Sequence, residues 1–336
     1  MMDRRGFLAT AAALPASVAS VLPFRPARPP VAPRAGSAER FGLSLSQWSY
    51  HRSIFGDSRA DYDRYLHLLA TDPDAVLQGD MDPRDIVVRA RELDLDTVDL
   101  VNVLFYGHGA DGPWLAEFGR RARAERVGFG ILMIDEAGSI GASDAAERAA
   151  AIARHRLWLD CAVTLGCTAI RVNAYGDGTY LAQLRQCAES LAVLGDLGAE
   201  AGLDVLVENH GHPSSNGAWL AMLMEATAHP RVGVLADFDN FFMGGWNHDP
   251  QRRYDSVQGM LDLAPYTRAV SAKSYDFRAD GRETRVDFHQ AMQIVLDAGF
   301  DGLASAEYEG EHLSEADGTR ATVALLRTVR QDLRTH

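Results

Sequence analysis

Three carboxylates close short apolar runs. Glu208 ends Asp204-Val-Leu-Val-Glu208, Asp237 ends Val232-Gly-Val-Leu-Ala-Asp237, and Glu307 ends Leu303-Ala-Ser-Ala-Glu307. Short runs of β-branched and aliphatic residues read as buried strands. An acid at the last position of such a strand is costly to bury unless a partner compensates its charge. Three of them, on strands able to share one barrel mouth, suggest a divalent metal site held by Glu208, Asp237 and Glu307.

The residues around each acid extend the picture. In Val207-Glu208-Asn209-His210-Gly211-His212, strand alternation lets Glu208 and His210 face one side while Asn209 faces away. His210 is then a further metal ligand or a substrate contact, with a plain surface histidine as the other reading; the same holds more weakly for His212. In Asp237-Phe-Asp-Asn240, Asp237 directly ends the apolar run, whereas Asp239 is expected to cap or to face solvent. Phe238, Phe241, Phe242 and Trp246 either wall a pocket or fill the core. Val270-Ser-Ala-Lys273-Ser-Tyr-Asp276 brings a lysine to the mouth, where it can pair with the acids or polarise a substrate carbonyl. The segment from Phe277 to Glu283 reads as a turn with an exposed, charged flank. Leu303, Ser305 and Glu307 share one face of their strand, with Glu309 beyond its end a weaker candidate. Earlier strands contribute Gln47, Trp48, His51, Asp99, Asn102, Asp135, Glu136, Arg171 and Asn173. Such a polar set with an aromatic face suits a polyhydroxylated ligand; Trp48, His210, Arg171, Asn173 and Asn240 are the expected substrate contacts.

Something must bring these residues together. From Phe41 onward short apolar runs alternate with longer helical stretches. Strands are expected at 41–46, 97–102, 127–134, 168–173, 204–208, 232–237, 269–274 and 302–307, the count of a parallel (β/α)8 barrel. Glu208, Asp237, Ser271 and Glu307 follow one another at intervals of 29, 34 and 36 residues, close to the roughly 30 of one strand-helix unit. Parallel strands joined by helices expose their carboxyl ends on one face, where chemistry collects. Leu181, Leu184, Ala188, Leu191 and Leu194 mark one apolar helical stripe, and Ala321, Leu325, Leu326 and Val329 another. Pro83 opens a helix with Asp82 as its cap, while Ser143 is expected to cap a helix that Gly166 ends. The first unit is longer, so residues 51–80, with a short helix around Tyr62, Tyr65 and Leu66, read as an insertion on the catalytic face: a lid or a subunit contact.

Composition narrows the function classes. At 336 residues and 47% hydrophobic content, one large core suffices. A net charge of -13 argues against a basic grip on nucleic acid or on anionic lipid. Cys161, Cys167 and Cys187 form no Cys-x-x-Cys pair and read as buried small residues. Asp3-Arg-Arg-Gly-Phe-Leu before an Ala-rich apolar stretch reads as a Tat-type export signal, with residues 1–36 as leader and linker, residues 37–336 as a single barrel domain, and the periplasm or cell envelope as destination. That stretch is too short and Ala-rich for a membrane span, and no membrane insertion is expected.

Taken in order, Val207-Glu208-Asn209-His210-Gly211, Asp237-Phe-Asp-Asn240, Ser271-Ala-Lys273 and Glu307-Tyr-Glu309-Gly310 resemble the sugar phosphate isomerase/epimerase family of xylose isomerase-like TIM barrels, over roughly residues 41–330. The resemblance implies a divalent cation (Mn, Mg, Co or Zn) on Glu208, Asp237 and Glu307. The family's histidine on the seventh strand reads Ser271 here, and the histidine of its Asp-x-x-His reads Asn240. His210 or water would then complete the shell, or Lys273 would supply the charge instead. The implied chemistry is proton transfer beside a carbonyl through an enediolate, one of Glu208 and Glu307 removing the proton and the other returning it. Isomerase or epimerase activity on a small sugar is the leading expectation. A keto-sugar lyase or dehydratase and a non-catalytic exported sugar-binding barrel are the alternatives. An abasic-site endonuclease is disfavoured by the same two missing histidines and the acidic chain. By fold analogy a homo-oligomer is expected.

Overall fold

The computed structural model describes residues 39–244 and 250–334; the expected leader and Trp246 lie outside them. The eight apolar runs form eight parallel strands: β1 (Gly42–Ser46), β2 (Thr97–Val101), β3 (Gly128–Met133), β4 (Ala169–Val172), β5 (Asp204–Glu208), β6 (Val232–Asp237), β7 (Thr267–Ser274) and β8 (Leu303–Tyr308). Each pairs with the next in sequence, and β8 returns to β1, closing a TIM barrel. The expected bounds of β5 and β6 coincide with the observed ones, and β7 begins two residues earlier. A closed parallel barrel buries its strands from both sides, so near-continuous apolar runs are what this fold demands.

Register decides which side chains meet. Asp237 lies opposite Ser271, Lys273 opposite Glu307, and Ser44 opposite Ser305. The helices that fill the gaps are stopped by local chemistry. Asp82 caps the turn at Pro83–Asp85, and Gly166 ends the long helix Ala145–Leu165 in the left-handed region at φ 77°. The cap of that long helix is Asp144, whose side chain accepts from the Glu147 N–H, and not Ser143 as expected. A carboxylate at that position also faces the positive end of the helix dipole.

The insertion contains the helix Tyr62–Thr71. Buried Tyr65 ties it into the hydrophobic core and meets Phe55, also of the insertion, edge-on at 5.5 Å. The Tyr62 hydroxyl donates to Glu136 Oε1 at 2.9 Å, linking the insertion to the loop after β3. The three cysteines are buried and free, as their isolation in sequence implied. Among the described residues no helix is long and apolar enough to cross a membrane.

Candidate active site

Two fixed cations organise the mouth. The first is Arg171 near the end of β4, only 4% exposed. One terminal nitrogen lies 2.6 Å from Asp135 Oδ1, and Nε lies 2.8 Å from Glu208 Oε2. The Nε–H is not aligned on that oxygen, so the second contact is an ion pair and not a directed hydrogen bond. Asn173 donates to the same Asp135 oxygen at 2.8 Å. Burial pushes the Asp135 carboxyl up, but the charge and hydrogen bond of Arg171, with His210 and the Asn173 amide, together outweigh it and bring it to about 2. Burial holds Glu208 above the usual range in spite of Arg171 and Lys273.

The second cation is Lys273, 3% exposed. Its Nζ donates to Asn240 Oδ1 at 3.0 Å. It also lies 3.2 Å from Glu309 Oε1, 3.3 Å from Glu307 Oε1 and 3.5 Å from Asp237 Oδ2. Burial alone would depress this ammonium, yet the surrounding carboxylates hold its pKa well above the ordinary value. Burial pushes Asp237 and Glu307 up to about 7 each, against the lowering pull of Lys273. Glu309, also desolvated, is pulled below the usual range by Lys273.

Hydrogen bonds tie the acids to the frame. Glu307 Oε2 accepts from the Ser46 hydroxyl at 2.7 Å, joining β8 to β1. Asp237 Oδ1 accepts from the backbone N–H groups of Asp239 and Asn240, both at 2.8 Å. Asn240 then turns its amide to Glu208 Oε1 at 2.8 Å. Asn209, turned away from the mouth as alternation required, instead braces β6, donating to the Asp237 carbonyl and accepting from its N–H.

The remaining expected contacts divide. Arg171, Asn173 and Asn240 join the Glu208 group. His210 Nδ1 lies 2.7 Å from the Tyr175 hydroxyl. Burial and repulsion from Arg171 push this imidazole down to about 3, so it is neutral at pH 7. Trp48 stacks on His51 at 4.7 Å, and the Arg59 guanidinium lies 4.9 Å from the Trp48 ring. Much of its π surface is therefore already used. Phe238 and Phe241 belong to the core. The turn after Phe277 is present, with Arg278, Asp280 and Arg282 exposed. Two acids depart from expectation. Asp239 is buried and ion-paired with Arg253 at 2.5 Å, not facing solvent. Glu283, at the end of that turn, is buried, its carboxylate accepting from the backbone N–H groups of Tyr275, Asp276, Arg285 and Val286. Both lie in polar stretches whose partners are supplied by distant or folded-back chain. Sequence reading did not single out Ser46 or Tyr175. Tyr175 sits two and four residues beyond Asn173 and Arg171, and Ser46 is the last residue of β1, so continued strand alternation was the available signal.

The expected metal shell of Glu208, Asp237, Glu307 and His210 is not assembled. Among the described residues no three His, Cys, Asp or Glu side chains are grouped to hold one ion. The reason is physical. Glu208 is held by Arg171 and Asn240, His210 is turned to Tyr175, and the ammonium of Lys273 stands between Asp237 and Glu307. The donor set as arranged does not fit a divalent ion shared by these carboxylates.

Comparison with known proteins agrees with the architecture. Solved structures superimpose over most of the barrel. A 3-keto-D-glucoside 4-epimerase from E. coli is 17% identical, covering 73% of this chain and 94% of its own at a TM-score of 0.57. A probable 3-DHS dehydratase from Bacillus anthracis is 15% identical, covering 85% and 99% at 0.56. A barrel protein from Mycobacterium smegmatis, solved in complex with magnesium, is 15% identical, covering 88% and 99% at 0.57. At such identities the likeness is one of fold. No curated protein matches the sequence. The sequence model of one family matches residues 87–329, well over half of the chain: the protein belongs to the xylose isomerase-like TIM barrel family.

Proposed function

We propose that this protein is a sugar isomerase or epimerase that moves a proton on a carbon next to a carbonyl, through an enediolate. One observation carries the reading. Glu307 and Glu208, on β8 and β5, stand at the two ends of a continuous polar chain that runs Glu307–Lys273–Asn240–Glu208, with links of 3.3, 3.0 and 2.8 Å. A carbonyl substrate over this chain meets a carboxylate at either end and an ammonium between them.

The roles follow from the environments. Glu307, brought to about 7 by burial, is ionised in a large fraction of molecules near neutrality and still basic enough to take a carbon-bound proton. The C–H electron pair moves onto the carbonyl oxygen, and the positive charge of Lys273 stabilises the enediolate. Glu208, also raised by burial, returns a proton. Return to the neighbouring carbon, with that carbon's hydroxyl proton passing to the former carbonyl oxygen, isomerises the sugar; return to the opposite face of the same carbon, with the carbonyl re-formed, epimerises it. Buried oxygens without a hydrogen bond in the protein, Glu208 Oε2, Asp237 Oδ2 and Ser271 Oγ, are suited to receive sugar hydroxyls. The sugar epimerases among the structural neighbours support this substrate class.

The test is hydrogen–deuterium exchange at C–H bonds of a ketose panel in deuterated water, followed by NMR, with product identification. Exchange with wild type and none with Glu307→Gln is expected. Loss of water without exchange into recovered sugar would reassign the protein as a dehydratase. A sugar that binds tightly but never exchanges would leave only the binding role. The Arg-Arg leader further supports export to the periplasm or cell envelope, which cell fractionation would check.

A further inference from the structure

We propose that the Lys273 ammonium is the resident cation of this site, standing where the family pattern reserves a place for a divalent ion. The proposal rests on the proton-transfer reading above for its consequence in catalysis, but its geometry is independent of it.

Three observations converge. First, Nζ is surrounded by one oxygen each from Asp237, Glu307 and Glu309 at 3.2–3.5 Å, with Asn240 Oδ1 at 3.0 Å. These are ammonium distances. Mg²⁺ needs its oxygens at about 2.0–2.1 Å and Ca²⁺ at about 2.3–2.6 Å, so the cage is open too wide for either. Second, Ser271, two residues before Lys273 on β7 and opposite Asp237 in register, offers a neutral hydroxyl. Its Oγ is buried and makes no hydrogen bond. Third, Glu208 is already balanced by Arg171 at 2.8 Å, and Arg171 is fixed by Asp135 on its other side. A divalent ion at this mouth would have to displace one fixed cation and approach a second. A lysine tethered in the strand brings its charge with the fold, with no loading step and no loss to a chelator. The enediolate oxygen would replace one of the long carboxylate contacts of Nζ, gaining an N–H donor without any change in coordination.

The deciding experiment is direct metal binding, with Mn²⁺ as probe. Full-length protein dialysed against EDTA should bind no stoichiometric Mn²⁺ by electron paramagnetic resonance, and its Tm should not move on adding Mn²⁺. An ion present at about 100 times its Kd would raise Tm by roughly 5–10 °C. Lys273→Met, which removes the charge and keeps the stem, should gain Mn²⁺ affinity and lose at least about 100-fold in deuterium exchange. One Mn²⁺ per wild-type chain overturns the proposal, as does exchange that stops in EDTA and returns with Mn²⁺. The wild-type arms stand even if Lys273→Met fails to fold. If no sugar exchanges with or without Mn²⁺, the isomerase reading falls, while the Mn²⁺ titration still decides which cation the site holds.

Discussion

Replacing Arg171 by methionine removes a guanidinium shared by two carboxylates, Asp135 at 2.6 Å and Glu208 at 2.8 Å, and leaves a stem of similar length. Breaking a buried pair by deleting one partner costs about 3–5 kcal/mol, because the stranded charge has lost both water and counter-ion. Glu208 is 4% exposed at its side chain but Asp135 is 19% exposed. Water therefore screens part of the loss, and the low end, about 3 kcal/mol, is expected. At roughly 2–4 °C per kcal/mol this lowers Tm by about 6–12 °C. The pH dependence gives the sign. In wild type Asp135 is held at about 2, below its unfolded value, so its contribution is complete above the ordinary carboxylate range and is lost as pH falls towards 2. In the variant, burial without Arg171 raises both carboxyls above their unfolded values. The folded protein then binds more protons than the unfolded chain, and stability grows as pH falls from neutrality. The deficit relative to wild type should therefore shrink between about pH 8 and about pH 5.5. Urea unfolding at both values measures it, with Asn173→Ala as a control that keeps the ion pairs. A deficit under about 1 kcal/mol at the higher pH, or equal deficits at both, would refute the account of Arg171 as the shared counter-ion.

Two further outcomes follow from the same geometry. The rate of carbon-bound proton exchange should fall as pH drops through about 7, where Glu307 and Asp237 take up protons and the base is lost; the profile reports the pair together, and a flat rate across this range would contradict Glu307 as base. Glu315, at the start of the last helix, accepts from the N–H groups of Arg52 and Ser53 at 2.8 and 2.9 Å and from the Ser53 hydroxyl at 2.6 Å. Glu315→Ala should cost about 2–3 kcal/mol by thermal unfolding, Glu315→Gln distinctly less, and an unchanged Tm for the alanine variant would show that water substitutes for the carboxylate there.

The sequence by itself determined the barrel. Eight apolar runs at regular intervals leave little choice once parallel strands must be buried on both faces, and a carboxylate at the end of β5, β6 and β8 must then stand at one rim. Alternation along a strand also placed Lys273 on the Ser271 side and turned Asn209 away, because a period of two is a local property of the chain. What tertiary structure alone decided is how each charge is compensated. Glu208 finds Arg171, Lys273 finds three carboxylates, Asn240 bridges the two groups, and Ser46 reaches Glu307 across the closure of the barrel. Ser46 and Glu307 lie 261 residues apart. Asp239 and Glu283 look like solvent-facing residues in the sequence and are buried because Arg253 and four backbone N–H groups meet them after folding. Local pattern specifies where a side chain starts and which face it leaves from. The identity of its counter-ion depends on which strands become neighbours, and that is settled only when the sheet closes.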